Sequence, residues 1–325
     1  MAVPSCHLET LILPPNDANT CWWLSANLAL FHKERPEMTD YTTSLNKPFT
    51  GSNKSDIFNR ELSSRFIQIS KYYNGTSATL SMSNLIGHRL GPSMEAVFNT
   101  TDFKVNSSSL QSSDEYITTL SQYIGFDRGL ISINPGGATG ALETSAYDIQ
   151  LHANHFGIPQ IGNAENRSNL TYSQIASDVS TLIITCGRID KKGKTNIPIP
   201  PLKELAIPTF TLSNLVDPNH KEYIDLNPSM DNSKNPNLIH YPFKGPIAQY
   251  TEPAKFYLDA MVVYEPGHYV TYVKCETSDV WYYYKAIDEG PLGNGAAFPT
   301  FEAMMAADGE KIQRNFTHLV YSKVV

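Results

Sequence analysis

The stretch Cys21–Phe31 constrains the fold of this 325-residue chain more than any other part. It contains neither Gly nor Pro, Asn19 or Thr20 can cap it, and a helix is expected from Asn19 to about Lys33. Trp22, Trp23, Leu24, Ala26, Leu28, Ala29, Leu30 and Phe31 are spread around most of that helix. A helix apolar on all sides must be enclosed by other elements, so the chain has to wrap around it. With 41% apolar and 18% charged residues it has the material to do so, as one large domain or two modest ones.

The remainder has two textures. A polar loop is read from about Lys33 to Lys54, and helical patterns follow at Ser55–Tyr73, Ser93–Phe98 and Ser113–Ile124. In the last of these, Tyr116, Ile117, Leu120 and Ile124 share a face. A glycine-rich break occupies 134–142. Beyond it, segments 180–189, 207–212, 255–264, 268–274, 280–288 and 317–323 are rich in Val, Ile, Thr and Tyr and read as strands. A helical front (1–133) and a β-rich back (134–325), without βαβ alternation, indicate an α+β chain.

Charge and cysteine usage narrow the partners. The net charge is −7, from 25 basic and 32 acidic residues, and no basic stripe is present, so no nucleic-acid partner is expected. Cys6, Cys21, Cys186 and Cys275 form no C-x-x-C pair and are too scattered for a disulfide framework, so no metal and no cofactor are expected. No signal peptide is read at the start of the chain. Its apolar runs fall far short of the ~18–20 residues that a membrane span needs. A soluble protein in a reducing, cytoplasmic setting is the expectation, with a nuclear location, or association with a virion if the source is viral, as alternatives.

Three residues stand out for chemistry. Cys21 opens the buried helix, where unpaired backbone amides and the positive end of the dipole favour thiolate over thiol. The Pro266–Gly267 turn sets His268 at the first position of a strand, and a second strand follows the polar turn Glu276–Asp279. A hairpin centred on Ser278 sets Asp288 opposite or diagonal to His268, where a carboxylate can fix the imidazole tautomer. A thiol, an imidazole and a carboxylate together suit acyl transfer through a covalent intermediate.

These segments resemble the ubiquitin-specific proteases, a papain-like family. "NDANTCWWLSANLALF" (16–31) is similar to that family's cysteine box, with Asn16, Thr20, Cys21, Trp22 and Ser25 in register. "GHYVTYVK" (267–274) matches the histidine box, and Tyr284 and Asp288 reproduce its aromatic and acidic positions on the next strand. "SDEYITTLSQYI" (113–124) is a weaker likeness to a helix in the family's first half.

The resemblance implies a single papain-like catalytic domain over 1–325, with a thumb-like helical lobe (1–133) and a palm-like antiparallel β lobe (134–325). It also implies Cys21 as nucleophile, His268 as base and then acid, Asp288 as orienting residue and Asn16 as oxyanion donor, with Asp17 and Asn19 as rivals. Trp22, Gly267 and Tyr269 become candidate substrate-binding residues, and ubiquitin or ubiquitin-like conjugates the expected partners. The chain lacks the paired C-x-x-C motifs of the family's zinc-binding region, so a structural zinc is not expected. A papain-like protease cutting a polyprotein, a transglutaminase-like enzyme and a catalytically silent binding protein stay as alternatives.

Overall fold

The computed structural model describes residues 6–13, 20–44, 54–76, 112–133, 179–186, 189–190, 193–194, 198–210, 223–224, 241–242, 250–285, 290–292 and 295–324. After a short 3-10 turn (His7–Glu9), the front of the chain holds β1 (Ile12–Leu13), α1 (Cys21–Phe31), α2 (Pro36–Ser44), α3 (Lys54–Tyr73) and α4 (Ser113–Ile124). Then come β2 (Leu130–Ile133), β3 (Thr181–Cys186), β4 (Ile189–Asp190), β5 (Gly193–Lys194), β6 (Glu204–Phe210), β7 (Tyr223–Ile224) and β8 (Tyr241–Pro242). The back holds β9 (Tyr250–Glu265), β10 (His268–Lys274), β11 (Trp281–Tyr284), β12 (Gly290–Pro291), β13 (Ala297–Phe298), α5 (Phe301–Asn315) and β14 (Phe316–Lys323).

The sheet is organised on β9, 16 residues long. One of its edges pairs with β14, and the other is shared by β6 along its first half and β10 along its second. The full order is β13-β11-β10-β9-β14-β3-β2, antiparallel except for the parallel pair β2–β3. Helices cover both faces. Tyr269, Val273, Tyr282, Tyr284, Val262 and Val320 pack toward the core shared with α1, α3 and α4. Val270, Tyr272, Trp281, Met261, Leu319 and Tyr321 pack on the opposite side with Phe301, Met304 and Ile312 of α5. Burial on two faces is why β3, β9, β10 and β14 read as near-continuous apolar runs rather than as alternating ones. The fold is therefore mixed helix and antiparallel sheet.

α1 is buried at every one of its 11 positions, as its composition requires. Its far end is bolted to the sheet by a buried polar cluster. Arg35 donates to the Leu30 (2.6 Å) and Ala29 (3.3 Å) carbonyls, to Ser322 (2.9 Å) and to Asp259 of β9 (3.1 Å). Lys33 adds a second cation 2.7 Å from Asp259. Burial pushes the Asp259 carboxyl up, but the Arg35 and Lys33 charges outweigh it and hold it below the usual carboxylate range. Nearby, burial holds the His32 ring neutral, its pKa lowered to about 3. Its 3.9 Å approach to Asp259 is accordingly no ion pair. Glu37 of α2 completes the anchor by accepting from the Ser180 and Thr181 amides (3.0 and 2.7 Å).

Several expectations need correction. The loop expected over Lys33–Lys54 contains α2, whose Thr- and Asp-rich sequence hides a helix started by Pro36 and held by buried Met38 and Tyr41. α5 lies in the strand-rich back. Gly309 and sparse apolar positions obscure it, while Thr300 caps it by accepting from the Ala303 amide (3.1 Å). β2 adds a strand to the helical front. Two of the four cysteines are not free: Cys6 and Cys275, 269 residues apart with Cα atoms 6.0 Å from each other, form a disulfide. By contrast, α4 and β10 have the expected bounds. Ser93–Phe98 lies outside the described residues.

The buried cluster predicts an acid-sensitive fold. A group whose pKa is lower in the folded state than in the unfolded chain stabilises above its unfolded value and loses that contribution as pH falls. Stability should therefore drop as pH falls from about 6.5 toward 3 by up to ~1.4 kcal/mol per pH unit for His32, with Asp259 adding to the loss below about 4. His32→Gln should flatten the upper part of that curve in urea titrations. Asp259→Ala, which strands Arg35, should cost about 3–5 kcal/mol at neutral pH.

Candidate active site

Cys21 is the first residue of α1, and Thr20 ahead of it accepts the Trp23 and Leu24 amides through its carbonyl (2.9 and 3.0 Å). The helix lies against β10, where the Thr271 hydroxyl donates to the Ser25 carbonyl (3.1 Å). This brings the helix start to the start of the strand. The Tyr269 amide points at the Cys21 sulfur, together with the amides of Trp22 and Cys21 itself. Cys21 is only 1% exposed, and burial pushes its thiol above the ordinary value of 9.0 despite those three amides. The expected thiolate bias is therefore overturned: desolvation of the anion outweighs the helix-start donors. Tyr284 of β11 also lies in the thiol's electrostatic field, and burial raises its own hydroxyl further.

His268 sits where the sequence set it, at the first position of β10 and half-buried. The turn before it depends on Gly267, whose φ of 76° is left-handed, and whose amide donates to the Tyr264 hydroxyl (3.0 Å). The imidazole Nε2 meets the Lys285 carbonyl. A carbonyl only accepts, so Nε2 carries the proton and Nδ1 is left as the basic nitrogen. The hairpin itself runs one residue out of the expected register. Thr271 stands opposite Tyr284, where a turn centred on Ser278 would have set Lys285.

The structure thus draws Cys21 to the peptide that follows His268. Asp288 and Asn16, with Asp17 and Asn19, lie outside the described residues. Trp22 is 1% exposed and edge-on to Tyr116 at 5.4 Å, a core position rather than a cleft wall. Tyr269 is also buried, T-stacked on Tyr264 at 5.1 Å, with its hydroxyl pushed up to about 12 by burial although Ser113 opposes the shift. Gly267 is exposed on its turn. Lys285 and Tyr264 were not singled out from the sequence, whereas Tyr284 was, as the aromatic position of the second strand. Lys285 acts through its backbone, which leaves no residue-type signal. Among the described residues no group of three or more His, Cys, Asp or Glu is placed to hold a metal. No described helix is long and apolar enough to cross a membrane.

No family model matches this sequence, and no curated protein does. Solved structures do resemble its fold. The SAGA DUB module Ubp8/Sgf11/Sus1/Sgf73 bound to monoubiquitin superposes with a TM-score of 0.52 at 12% identity, over 100% of this chain and 72% of that one. The same module bound to ubiquitin aldehyde gives the same values. An essential yeast splicing factor reaches a TM-score of 0.43 at 13% identity, over 98% of this chain and 70% of that one, too low to carry weight. At such identities the likeness is one of fold.

The buried thiol gives a direct prediction. A difference titration of thiolate absorbance between the parent and Cys21→Ser should show Cys21 ionising above 9.0. Ionisation below neutral pH would contradict the dominance of burial.

Proposed function

We propose that this chain is a papain-like thiol hydrolase of the deubiquitinase type, in which Cys21 attacks the carbonyl after a C-terminal Gly-Gly tail. The observation that carries the reading is the meeting of the α1 start with the start of β10, which sets the Cys21 sulfur against the Tyr269 amide beside His268. The fold's likeness to ubiquitin-bound DUB modules supports the substrate class.

A buried thiol with a raised pKa is a poor nucleophile alone, so the reaction needs a base that removes its proton as the bond forms. His268 suits that role, because its Nε2–H is committed to the Lys285 carbonyl, which makes Nδ1 the acceptor nitrogen. In this mechanism the sulfur adds to the carbonyl carbon while Nδ1 takes the thiol proton. The oxyanion is met by donors at the helix start, for which Asn16 is the candidate side chain. The imidazolium then protonates the leaving amine as the C–N bond breaks, giving a thioester. Water, deprotonated by the same nitrogen, releases the Gly-Gly carboxylate and restores the thiol. Asp288 is the candidate for stabilising the imidazolium.

Turnover of a fluorogenic ubiquitin C-terminal substrate is the test. Cys21→Ala and His268→Ala should each lower kcat at least about a thousandfold, and Asp288→Asn by less. An electrophilic ubiquitin probe should label the parent and not Cys21→Ala. Labelling of Cys21 by a generic thiol electrophile but not by the ubiquitin form would redirect the reading to another protease substrate.

A further inference from the structure

Residues 6–13 cross elements that are remote from them in sequence. Cys6 is bonded to Cys275, which directly follows β10. Glu9 accepts from the Tyr282 hydroxyl of β11 (3.0 Å), and the Leu11 carbonyl accepts from the Leu292 amide (2.8 Å). β1 pairs with β12, Ile12 against Pro291 and Leu13 against Gly290. On the other side α3 holds the segment, with the Tyr72 hydroxyl donating to the Ile12 carbonyl and the His7 ring 3.1 Å from the Tyr73 carbonyl. The sheet-side contacts named here fall on the β10–β11 hairpin or on the chain just beyond it. That hairpin begins with His268, and the carbonyl that holds the His268 ring belongs to Lys285, directly after β11.

We propose that residues 6–13 form a strap that positions the histidine hairpin, and that the Cys6–Cys275 bond sets whether the strap holds. The proposal rests on Cys21 and His268 acting as a reacting pair and adds regulation of that pair.

The outer neighbour of β11 is the two-residue strand β13, so the hairpin gains little rigidity from that side. The strap buries Leu8, Leu11 and Leu13 in the core, but its polar hold on the hairpin side is slight, a two-residue ladder and a few hydrogen bonds that water can replace. The packing of α1 on β10 already closes the 269-residue loop between the two cysteines, so what the disulfide adds is a direct covalent tie between the strap and the end of β10. A dithiol opens it by exchange. One thiolate attacks the Cys6 sulfur, the more exposed of the two at 7% against 1%, and Cys275 leaves as a thiolate that takes a proton. The second thiol of the reductant then displaces Cys6. Two electrons and two protons pass to the protein, the reductant closes to its cyclic disulfide, and no other group changes oxidation state. A small displacement of an imidazole from its nucleophile is felt in the rate of proton removal more than in substrate affinity.

The test is the rate of Cys21 alkylation by iodoacetamide, resolved by site with mass spectrometry and followed from neutral to alkaline pH. It needs no knowledge of the natural substrate. With the bond closed, Cys21 should react near neutral pH about tenfold faster than after dithiothreitol has opened it. The two rates should converge at alkaline pH, where hydroxide replaces the base. Cys6→Ser/Cys275→Ser should show the slow rate and no response to dithiothreitol. Glu9→Gln, with the bond intact, should fall between. Equal rates with the bond open and closed, while His268→Ala slows the reaction, would overturn the strap and leave the Cys21–His268 pair standing. No slowing in His268→Ala would remove both. Peptide maps of oxidised protein without a Cys6–Cys275 bridge would also overturn it.

Discussion

A helix that is apolar on all sides has no preferred rotation in its core, because every face buries equally well. The position of α1 is set by the shapes of its large rings, such as Trp22 and Trp23 against Tyr116, and by polar contacts that are few and specific. At its far end Arg35 holds the Leu30 and Ala29 carbonyls against Asp259 of β9. Midway, the Tyr116 hydroxyl donates to Asn27 (2.8 Å). Toward the start, Thr271 of β10 donates to the Ser25 carbonyl. Each contact joins the helix to a different element, and together they fix both its axial register and its rotation. Where the Cys21 sulfur points follows from them.

Burying the Arg35–Asp259 pair is costly in desolvation, and apolar replacement of such pairs is often neutral for stability. What the pair provides here is placement. Two cations beside one carboxylate leave that corner of the core with a net positive charge, and this accords with a His32 that stays neutral despite its nearby anion.

At the other end of the helix the balance has the opposite sign. Three amides aim at the Cys21 sulfur, yet burial keeps the thiol protonated. A protonated thiol is a weak nucleophile unless its proton is removed as the new bond forms. The hairpin that carries His268 meets the helix at this end. Its turn depends on the left-handed backbone of Gly267, and its imidazole tautomer on a main-chain carbonyl.

The sequence by itself determined that Cys21–Phe31 is an enclosed helix, that Ser113–Ile124 is a one-faced helix and that His268–Lys274 is a strand. Each is written in local periodicity, composition and turn residues, which act within a few residues of one another. It also located Cys21 and His268 at the starts of their elements. The tertiary structure decided what depends on distant groups: the helices α2 and α5, whose weak local patterns are rescued by packing; the Cys6–Cys275 bond, across 269 residues; and the hairpin register, shifted by one. It also reversed the protonation bias of Cys21. A helix start is visible in the sequence, whereas the depth at which it is buried is a sum over every element packed around it, and desolvation grows with that depth.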